Sequence, residues 1–148
     1  MMQPHTDEDL RQILCTSTVI AVLGAHPQAH RAAAYVPTYL HAAGYRVYPV
    51  NPAKMGTVLW GQPVRASLQE ITEPVDIVDV FRRSDALMGH IDDILAMSPL
   101  PRVVWLQSGI RHDGFSQRLV TAGIDVVQDR CTLAVHRRLG IEHRVALQ

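Results

Sequence analysis

The sequence predicts a single α/β domain with a Rossmann-like, doubly wound and mainly parallel sheet of about five strands, covered by helices on both faces. Short apolar runs alternate with helix-like segments throughout, without linkers or low-complexity breaks. The apolar runs are continuous, which is typical of strands that are buried on both faces of a parallel sheet. The first run ends in a glycine just before a helix, as in nucleotide-binding folds.

The amino-terminal third predicts a short helix and then a strand–helix–strand unit. Residues 7–14 form an amphipathic helix with acidic residues in its first turn, where the helix dipole favours them. "TVIAVLGA" is the first strand, and residues 32–44 form a helix whose final glycine is a C-terminal cap. Pro37 either kinks this helix or lies in its first turn, in which case the regular part begins near Val36. Residues 45–50 are the second strand.

The middle of the chain contains the least regular patterns. Residues 51–56 predict a turn, and residues 57–66 are too short and mixed to assign beyond an extended excursion. Ser67 and Glu70 have capping-box spacing, which predicts the start of a short helix. Residues 75–81 are the third major strand.

The carboxyl-terminal half continues the alternation. Residues 84–97 predict a helix with Ser84 as its N-cap. Residues 102–107 are the fourth strand, residues 115–123 a helix that ends at its glycine, residues 124–128 the fifth strand, and the segment from Thr132 to Leu139 a last helix. We expect one domain over residues 1–148, with a core at about residues 18–139 and a lead-in helix at residues 1–17.

Composition disfavours several classes of protein. The formal net charge is zero, so the chain has no electrostatic footprint for nucleic acid, and no apolar run approaches the length of a membrane span. The polar, acidic start differs from a signal peptide, so we expect a cytoplasmic protein. Cys15 and Cys131 are too far apart in sequence for a metal or redox motif, and the histidines show no metal-binding spacing, so we expect no metal.

Ligands of such sheets bind beyond the carboxyl ends of the strands. The turn after the first strand has Gly24, Ala25 and His26, and its backbone N–H groups, with those of the following helix, are suited to a diphosphate. A dinucleotide fingerprint begins at Gly24, but His26 and Ala29 stand where its next two glycines belong. The alternative is that Gly24 only allows a tight turn.

The residues after the second strand also depart from a typical NAD site. Such a site has an acidic side chain here for the ribose hydroxyls, whereas this chain has Asn51, Pro52 and then Lys54. Lys54 is the chain's single lysine beside thirteen arginines. A cation here suits a ligand with an extra phosphate on its ribose, such as NADP or coenzyme A, unless Lys54 is an ordinary solvated lysine.

The remaining strand ends add candidates for the same pocket. After the third strand come Phe81, Arg82 and Arg83, of which an arginine can hold phosphate by a forked hydrogen bond. After the fourth strand come Gln107, Ser108, Gly109 and Ile110, a polar loop suited to a pocket wall. Asp129, Arg130 and Cys131 follow the fifth, where the first two are expected to form ion pairs. No nucleophile elbow or carboxylate pair is present, so we assign no catalytic residue.

Five blocks in order resemble a known family: "VIAVLGAH", "GYRVYPVNP", "VDIVDVFRR", "VVWLQSGI" and "AGIDVVQDRC". They are similar to the small bacterial and archaeal CoA-binding proteins, stand-alone relatives of the amino-terminal CoA-binding domain of the succinyl-CoA synthetase alpha subunit. The resemblance covers residues 18–139. No histidine of this chain maps onto the phosphorylated histidine that the synthetases carry in another domain, so the synthetase activity is not transferred.

The resemblance implies that the chain binds coenzyme A or an acyl-CoA at the carboxyl edge of the sheet, as a non-catalytic binding, carrier or regulatory protein with no known protein partner. His26 departs from the serine that the family most often has at this position. The residues that match the family's binding positions are Gly24, Ala25, His26, Asn51, Pro52, Lys54, Phe81, Arg82, Gln107, Gly109 and Ile110.

Two other functions stay open on the sequence. One is an NAD(P)-binding regulatory module, which the incomplete glycine pattern and Asn51 disfavour. The other is a small acyl-CoA enzyme that acts with a partner subunit and uses Cys131 or His26 as its reactive group.

Overall fold

The computed structural model describes residues 5–141, and within that range the chain forms a five-stranded parallel sheet and a small hairpin. The strands are β1 (Val19–Leu23), β2 (Arg46–Val50), β3 (Val58–Leu59), β4 (Gln62–Pro63), β5 (Ile77–Val80), β6 (Val103–Leu106) and β7 (Asp125–Val127). The order across the sheet is β2-β1-β5-β6-β7, and β3 pairs with β4 in the antiparallel hairpin. The predicted fold class is confirmed.

Helices cover both faces of the sheet, as its doubly buried strands require. They are α1 (Asp7–Thr16), α2 (Ala32–Ala42), α3 (Ile91–Leu95), α4 (Asp113–Thr121) and α5 (Thr132–Arg138). Buried side chains of α1, α2 and α5 cluster with Ile20 and Trp105 on one face. Those of α3 and α4 cluster with Val78 and Leu106 on the other. None of the described helices is both long and apolar enough to cross a membrane.

The order of the strands places a switch point between β1 and β5. From β1 the chain crosses to β2 on one side, and after the hairpin it returns to β5 on the other side of β1. The two connections leave a crevice at the carboxyl ends of β1 and β5, where Leu23 lies beside Val80.

The predicted helix at residues 84–97 differs from the structure. Ser84–His90 forms a 3-10 helix, and only Ile91–Leu95 is α-helical among these residues. The prediction of Ser84 as an N-cap is wrong, because Arg83 precedes the helix and the Ser84 hydroxyl accepts the N–H of Arg111 at 3.0 Å. The Ser84 hydroxyl oxygen therefore accepts a hydrogen bond from Arg111 and not from a backbone N–H of its own helix.

Three other elements refine the predictions. Because α2 begins at Ala32, Pro37 lies in its interior, and the interpretation that the helix starts near Val36 is wrong. The capping box of Ser67 and Glu70 is confirmed, although the helix that it starts is a single 3-10 turn. Helix α4 begins two residues earlier than predicted, because His112 Nδ1 accepts the N–H of Phe115 at 2.9 Å and caps it.

Candidate ligand-binding site

A cavity of about 590 Å³ lies beyond the carboxyl ends of the central strands, at the switch point. The volume is in the range of pockets for small molecules and cofactors. The turn after β1 contributes Gly24 and His26, the end of β2 contributes Asn51, and the end of β5 contributes Phe81 and Arg82. The structure therefore brings predicted residues from three strands to one site.

The loop after β6 forms a further wall of the cavity. It contributes Gln107, Ser108, Gly109 and Ile110, the loop that the sequence indicated as a pocket wall. The carboxylate of Asp129 accepts the N–H of Gly109 at 2.6 Å and so ties this loop to the loop after β7. Within residues 5–141, Asp129 thus bonds this backbone amide, and the ion pair that its sequence position suggested does not form.

Three predicted residues do not line the cavity. Ala25 is fully buried behind the turn. Pro52 and Lys54 lie in the 3-10 turn after β2, outside the cavity wall. The charge of Lys54 is nevertheless one of the causes that lower the pKa of His26, which does line the cavity.

The glycine turn is a point of close contact between β1 and β5. Gly24 has a φ of 94°, a left-handed conformation that favours glycine, and a Cβ there would lie 2.9 Å from the carbonyl oxygen of Phe81. The N–H of Phe81 in turn donates to the carbonyl of Leu23 at 2.9 Å. Gly24 therefore allows the floor of the site to close, which the sequence could only suggest.

The amides of this turn are engaged within the protein. Those of Gly24 and Ala25 both donate to the carbonyl of Val50, at 2.9 and 3.3 Å. The amide of His26 donates to the carbonyl of Ala33 at 3.4 Å. Within α2 this carbonyl would normally accept the N–H four residues later, but that residue is Pro37, which has no N–H. The predicted diphosphate contact through these three amides would need them to exchange partners.

The start of α2 presents other backbone donors to the cavity. Ala32 and Ala33, in the first turn, line it together with the preceding Arg31. A helix N-terminus offers amides that have no partner within the helix, and its dipole favours an anion. The sequence placed the start of a helix here but did not single out these three residues.

Asn51 explains how the first two turns are joined. Its side chain is 5% exposed, its amide donates to the carbonyl of Ala25 at 2.9 Å, and its Oδ1 accepts the N–H of Ala53 at 2.9 Å. An aspartate here would lose the donor to Ala25. Asn51 therefore has a bracing role in this structure, at the position where an NAD site has its acidic residue.

The two arginines after β5 differ in their surroundings. Arg82 is partly buried, its Nη2 is 3.5 Å from Asn51 Oδ1, and its Nε is buried without a hydrogen-bond partner among residues 5–141. Arg83 also lines the cavity but is exposed and 3.4 Å from Asp85. An unpaired buried donor is costly unless a ligand satisfies it, so Arg82 is the stronger candidate for a ligand contact.

His26 has a defined tautomer in the free protein. Its Nδ1 accepts the N–H of Gln28 at 3.1 Å, so Nδ1 carries no proton in that bond and the neutral ring has its proton on Nε2. Desolvation and the charges of Arg31, Lys54 and His30 lower the pKa of His26. The side chain is thus mainly uncharged at neutral pH, with its donor on Nε2.

A buried polar network lies under the wall formed by Gln107. The Gln107 amide donates to Asp79 Oδ1 at 2.5 Å and to Thr132 Oγ1 at 2.9 Å, while the Thr132 hydroxyl donates to Asp79 Oδ2 at 2.9 Å. Burial raises the pKa of Asp79 to about 7, against the opposing effect of the two hydrogen bonds. The sequence did not single out Asp79 or Thr132, because "IVDV" indicates only a strand.

Comparisons with known proteins agree with the resemblance. The sequence profile of a family described as the CoA binding domain matches residues 18–137. The uncharacterized protein YneT of Bacillus subtilis (strain 168) is 34% identical over 135 residues, which are 91% of this chain and 97% of YneT. Cell-free ID.343 from Thermus thermophilus, a solved structure, has a TM-score of 0.87 and 52% identity over 91% of this chain and 99% of its own.

A more distant solved structure has the same fold within a larger protein. It is an acetyl-coenzyme A synthetase of Ca. Korarchaeum cryptofilum, with a TM-score of 0.64 and 21% identity. The match covers 82% of this chain but 27% of the synthetase chain. At this identity the likeness concerns the fold.

Proposed function

Since the chain belongs to the CoA binding domain family, we propose that it binds coenzyme A or an acyl-CoA in the cavity at the carboxyl edge of the sheet. The charge of the cavity wall carries this proposal. Among the described residues that line it, Arg31, Arg82 and Arg83 are cationic and none is acidic. The whole chain is neutral, so the excess is local, and it complements the diphosphate and 3′-phosphate of CoA.

The diphosphate fits between the first turn of α2 and Arg82. The amides of Ala32 and Ala33 and the helix dipole favour an anion on one side of the cavity. The buried Nε of Arg82 has no partner among residues 5–141, and a forked contact with a phosphate supplies one. These two features support this placement over a contact with the amides of Gly24 and Ala25.

The 3′-phosphate fits the rim of the cavity near His26, Arg31 and Lys54. The charges of Arg31 and Lys54 both lower the pKa of His26, which supports an electrostatic effect of both cations at this side of the cavity. Lys54 is outside the cavity wall, so it suits a group that leaves the cavity.

We propose a binding, carrier or regulatory role in preference to catalysis. Three polar side chains of the wall already make bonds within the protein: Asn51 with Ala25, Gln107 with Asp79, and Ser84 with Arg111. Such bonds support holding a ligand in one pose. An NAD(P)-binding regulatory module and an acyl-CoA enzyme with a partner subunit are the alternatives that the experiment distinguishes.

The test is a thermal-shift and calorimetry panel with CoA, acetyl-CoA, NADPH and NADH. A ligand that binds the folded state stabilises it by about 2.7 kcal/mol at a hundredfold excess over Kd, so we expect a clear rise in Tm with CoA or acetyl-CoA. A shift with NADPH and none with CoA at millimolar concentration would contradict the proposal. Turnover of acetyl-CoA during the titration would contradict the non-catalytic role.

A matched pair of variants locates the site. Arg82→Met removes a cavity cation and should weaken CoA by about 10- to 100-fold, the value of a charge-assisted hydrogen bond. Arg118→Met removes an exposed cation on α4 and should leave the affinity within about twofold of wild type. Equal effects of the two variants would place the ligand elsewhere.

A further inference from the structure

The amide of Gln107 is fixed in one orientation by two partners. Its nitrogen has two hydrogens, and Asp79 Oδ1 and Thr132 Oγ1 accept both, at 2.5 and 2.9 Å. The Thr132 hydroxyl donates its one hydrogen to Asp79 Oδ2, so toward Gln107 it can only accept, and the amide nitrogen must face it. Above about pH 7, where Asp79 is mostly ionised, its carboxylate also has only acceptors for the second hydrogen. The backbone of Gln107 is also held, since its N–H donates to Val80 and its carbonyl accepts from Ile110.

The fixed orientation decides what Gln107 offers to the cavity that it lines. With both hydrogens used, the polar atom that remains is the Oε1 carbonyl. Oε1 has no hydrogen-bond partner among residues 5–141, and it is not one of the buried side-chain atoms left without a partner. Gln107 therefore presents an accessible acceptor and no donor.

We propose that Gln107 is a specificity-determining residue, which Asp79 and Thr132 hold so that its carbonyl accepts a hydrogen bond from a neutral N–H or O–H group of the ligand. The proposal rests on CoA binding in this cavity. Phosphates and thioester carbonyls are acceptors and gain nothing here, whereas an amide or hydroxyl of the pantetheine arm, the ribose hydroxyl or the amino group of adenine can donate. The cationic groups of the cavity then bind the phosphates, while Gln107 selects for the ligand's uncharged part.

The proposal gives Gln107 and Asp79 different roles. Gln107 would contact the ligand, and Asp79 would act only through Gln107 as a positioning residue. In an Asp79→Asn variant the new side chain both donates and accepts, so the Gln107 amide is free to invert and to present its N–H₂ group to the cavity. Removal of the buried charge should at the same time favour the folded state above neutral pH.

The experiment titrates CoA and adenosine 3′-phosphate 5′-diphosphate, which lacks the pantetheine arm, into wild type, Gln107→Met and Asp79→Asn. We expect Gln107→Met to weaken CoA by about tenfold. The same loss for both ligands places the donor in the adenosine part of the ligand, and a loss for CoA alone places it in the pantetheine arm. Gln12→Met, the same change at an exposed position of α1, is the control and should bind as wild type does.

The second variant keeps the test decisive if Gln107→Met unfolds. Asp79→Asn should lose CoA affinity by a similar factor while its Tm above neutral pH equals or exceeds that of wild type, which a merely structural role for Asp79 would not produce. Unchanged affinity for both ligands in a folded Gln107→Met or Asp79→Asn protein would overturn the proposal. Failure of wild type to bind CoA would instead overturn the proposed function.

Discussion

Gly24 and the carbonyl of Phe81 meet where β1 and β5 end, so closely that a Cβ on Gly24 would lie 2.9 Å from that oxygen. The neighbour is backbone, which cannot rotate away as a flexible side chain does. Gly24 also has a φ of 94°. Gly24 is thus required both for the backbone conformation of the turn after β1 and for its close contact with the end of β5.

Gly24→Ala should lower the free energy of unfolding by about 3 kcal/mol, from a left-handed alanine and a clash with Phe81. Gly123→Ala is a matched control, because Gly123 has a φ of 93° but nothing within 4 Å of a Cβ. Its cost should be about 1 kcal/mol, the conformational part alone. Urea denaturation measures both, and equal losses would mean that the Phe81 contact contributes nothing.

Asp79 should make stability depend on pH. Its pKa in the folded protein, about 7, is above the value of 3.8 for an unperturbed group, so the folded state takes up a proton more readily than the unfolded chain. The stability from this group should be fully present below the unfolded value of 3.8, fall as pH rises through about 7, and then stay constant. In Asp79→Asn, the gain over wild type should be larger at about pH 8 than at about pH 5. Parallel pH profiles for the two proteins would exclude this ionisation.

Lys54 and Arg82 should respond differently to the ligand's 3′-phosphate. Lys54→Met should weaken CoA by about three- to tenfold and leave dephospho-CoA unchanged, if Lys54 meets the 3′-phosphate as proposed. Arg82→Met should weaken both ligands similarly, because Arg82 is placed at the diphosphate. Calorimetric titration of each variant and of wild type with both ligands gives the change in Kd for each variant and ligand. If Arg82→Met weakened CoA alone and Lys54→Met weakened both ligands, Arg82 would meet the 3′-phosphate and Lys54 the diphosphate.

CoA binding should be linked to protonation of His26. In the free protein, desolvation and nearby cations lower its pKa, and a bound anion should raise it again. The affinity of wild type relative to His26→Gln should therefore increase as pH falls from about 8 to about 6. The ratio cancels the titration of the ligand's own phosphate, which is common to both proteins. A ratio that does not change with pH would contradict the contact.

The sheet and its glycine turn could be predicted because their signals are local. Continuous apolar runs indicate strands buried on both faces, and Gly24 marks the end of the first strand. Both follow from residues that are adjacent in sequence. The position of the cavity follows in turn from the general rule for doubly wound sheets.

Other features could not be predicted, because they depend on contacts between distant residues. Lys54 lies outside the cavity, in a 3-10 turn that Asn51 caps. The side chain of Asn51 is held there by its bonds to Ala25 and Ala53, which the sequence does not reveal. The link between Asp79 and Thr132 joins residues 53 positions apart, and nothing in the strand pattern indicates it. The engagement of the His26 amide depends on a carbonyl that Pro37 leaves open.

The most direct test of CoA binding at this edge of the sheet is an NMR titration of ¹⁵N-labelled protein with CoA. The amides that shift most should be those of Ala32, Ala33, Arg82 and Gly109, which surround the cavity. Little change should occur at Asp7 and Ser98, which do not line it. No shifts at saturating CoA, or shifts confined to residues away from the carboxyl ends of β1 and β5, would contradict the account.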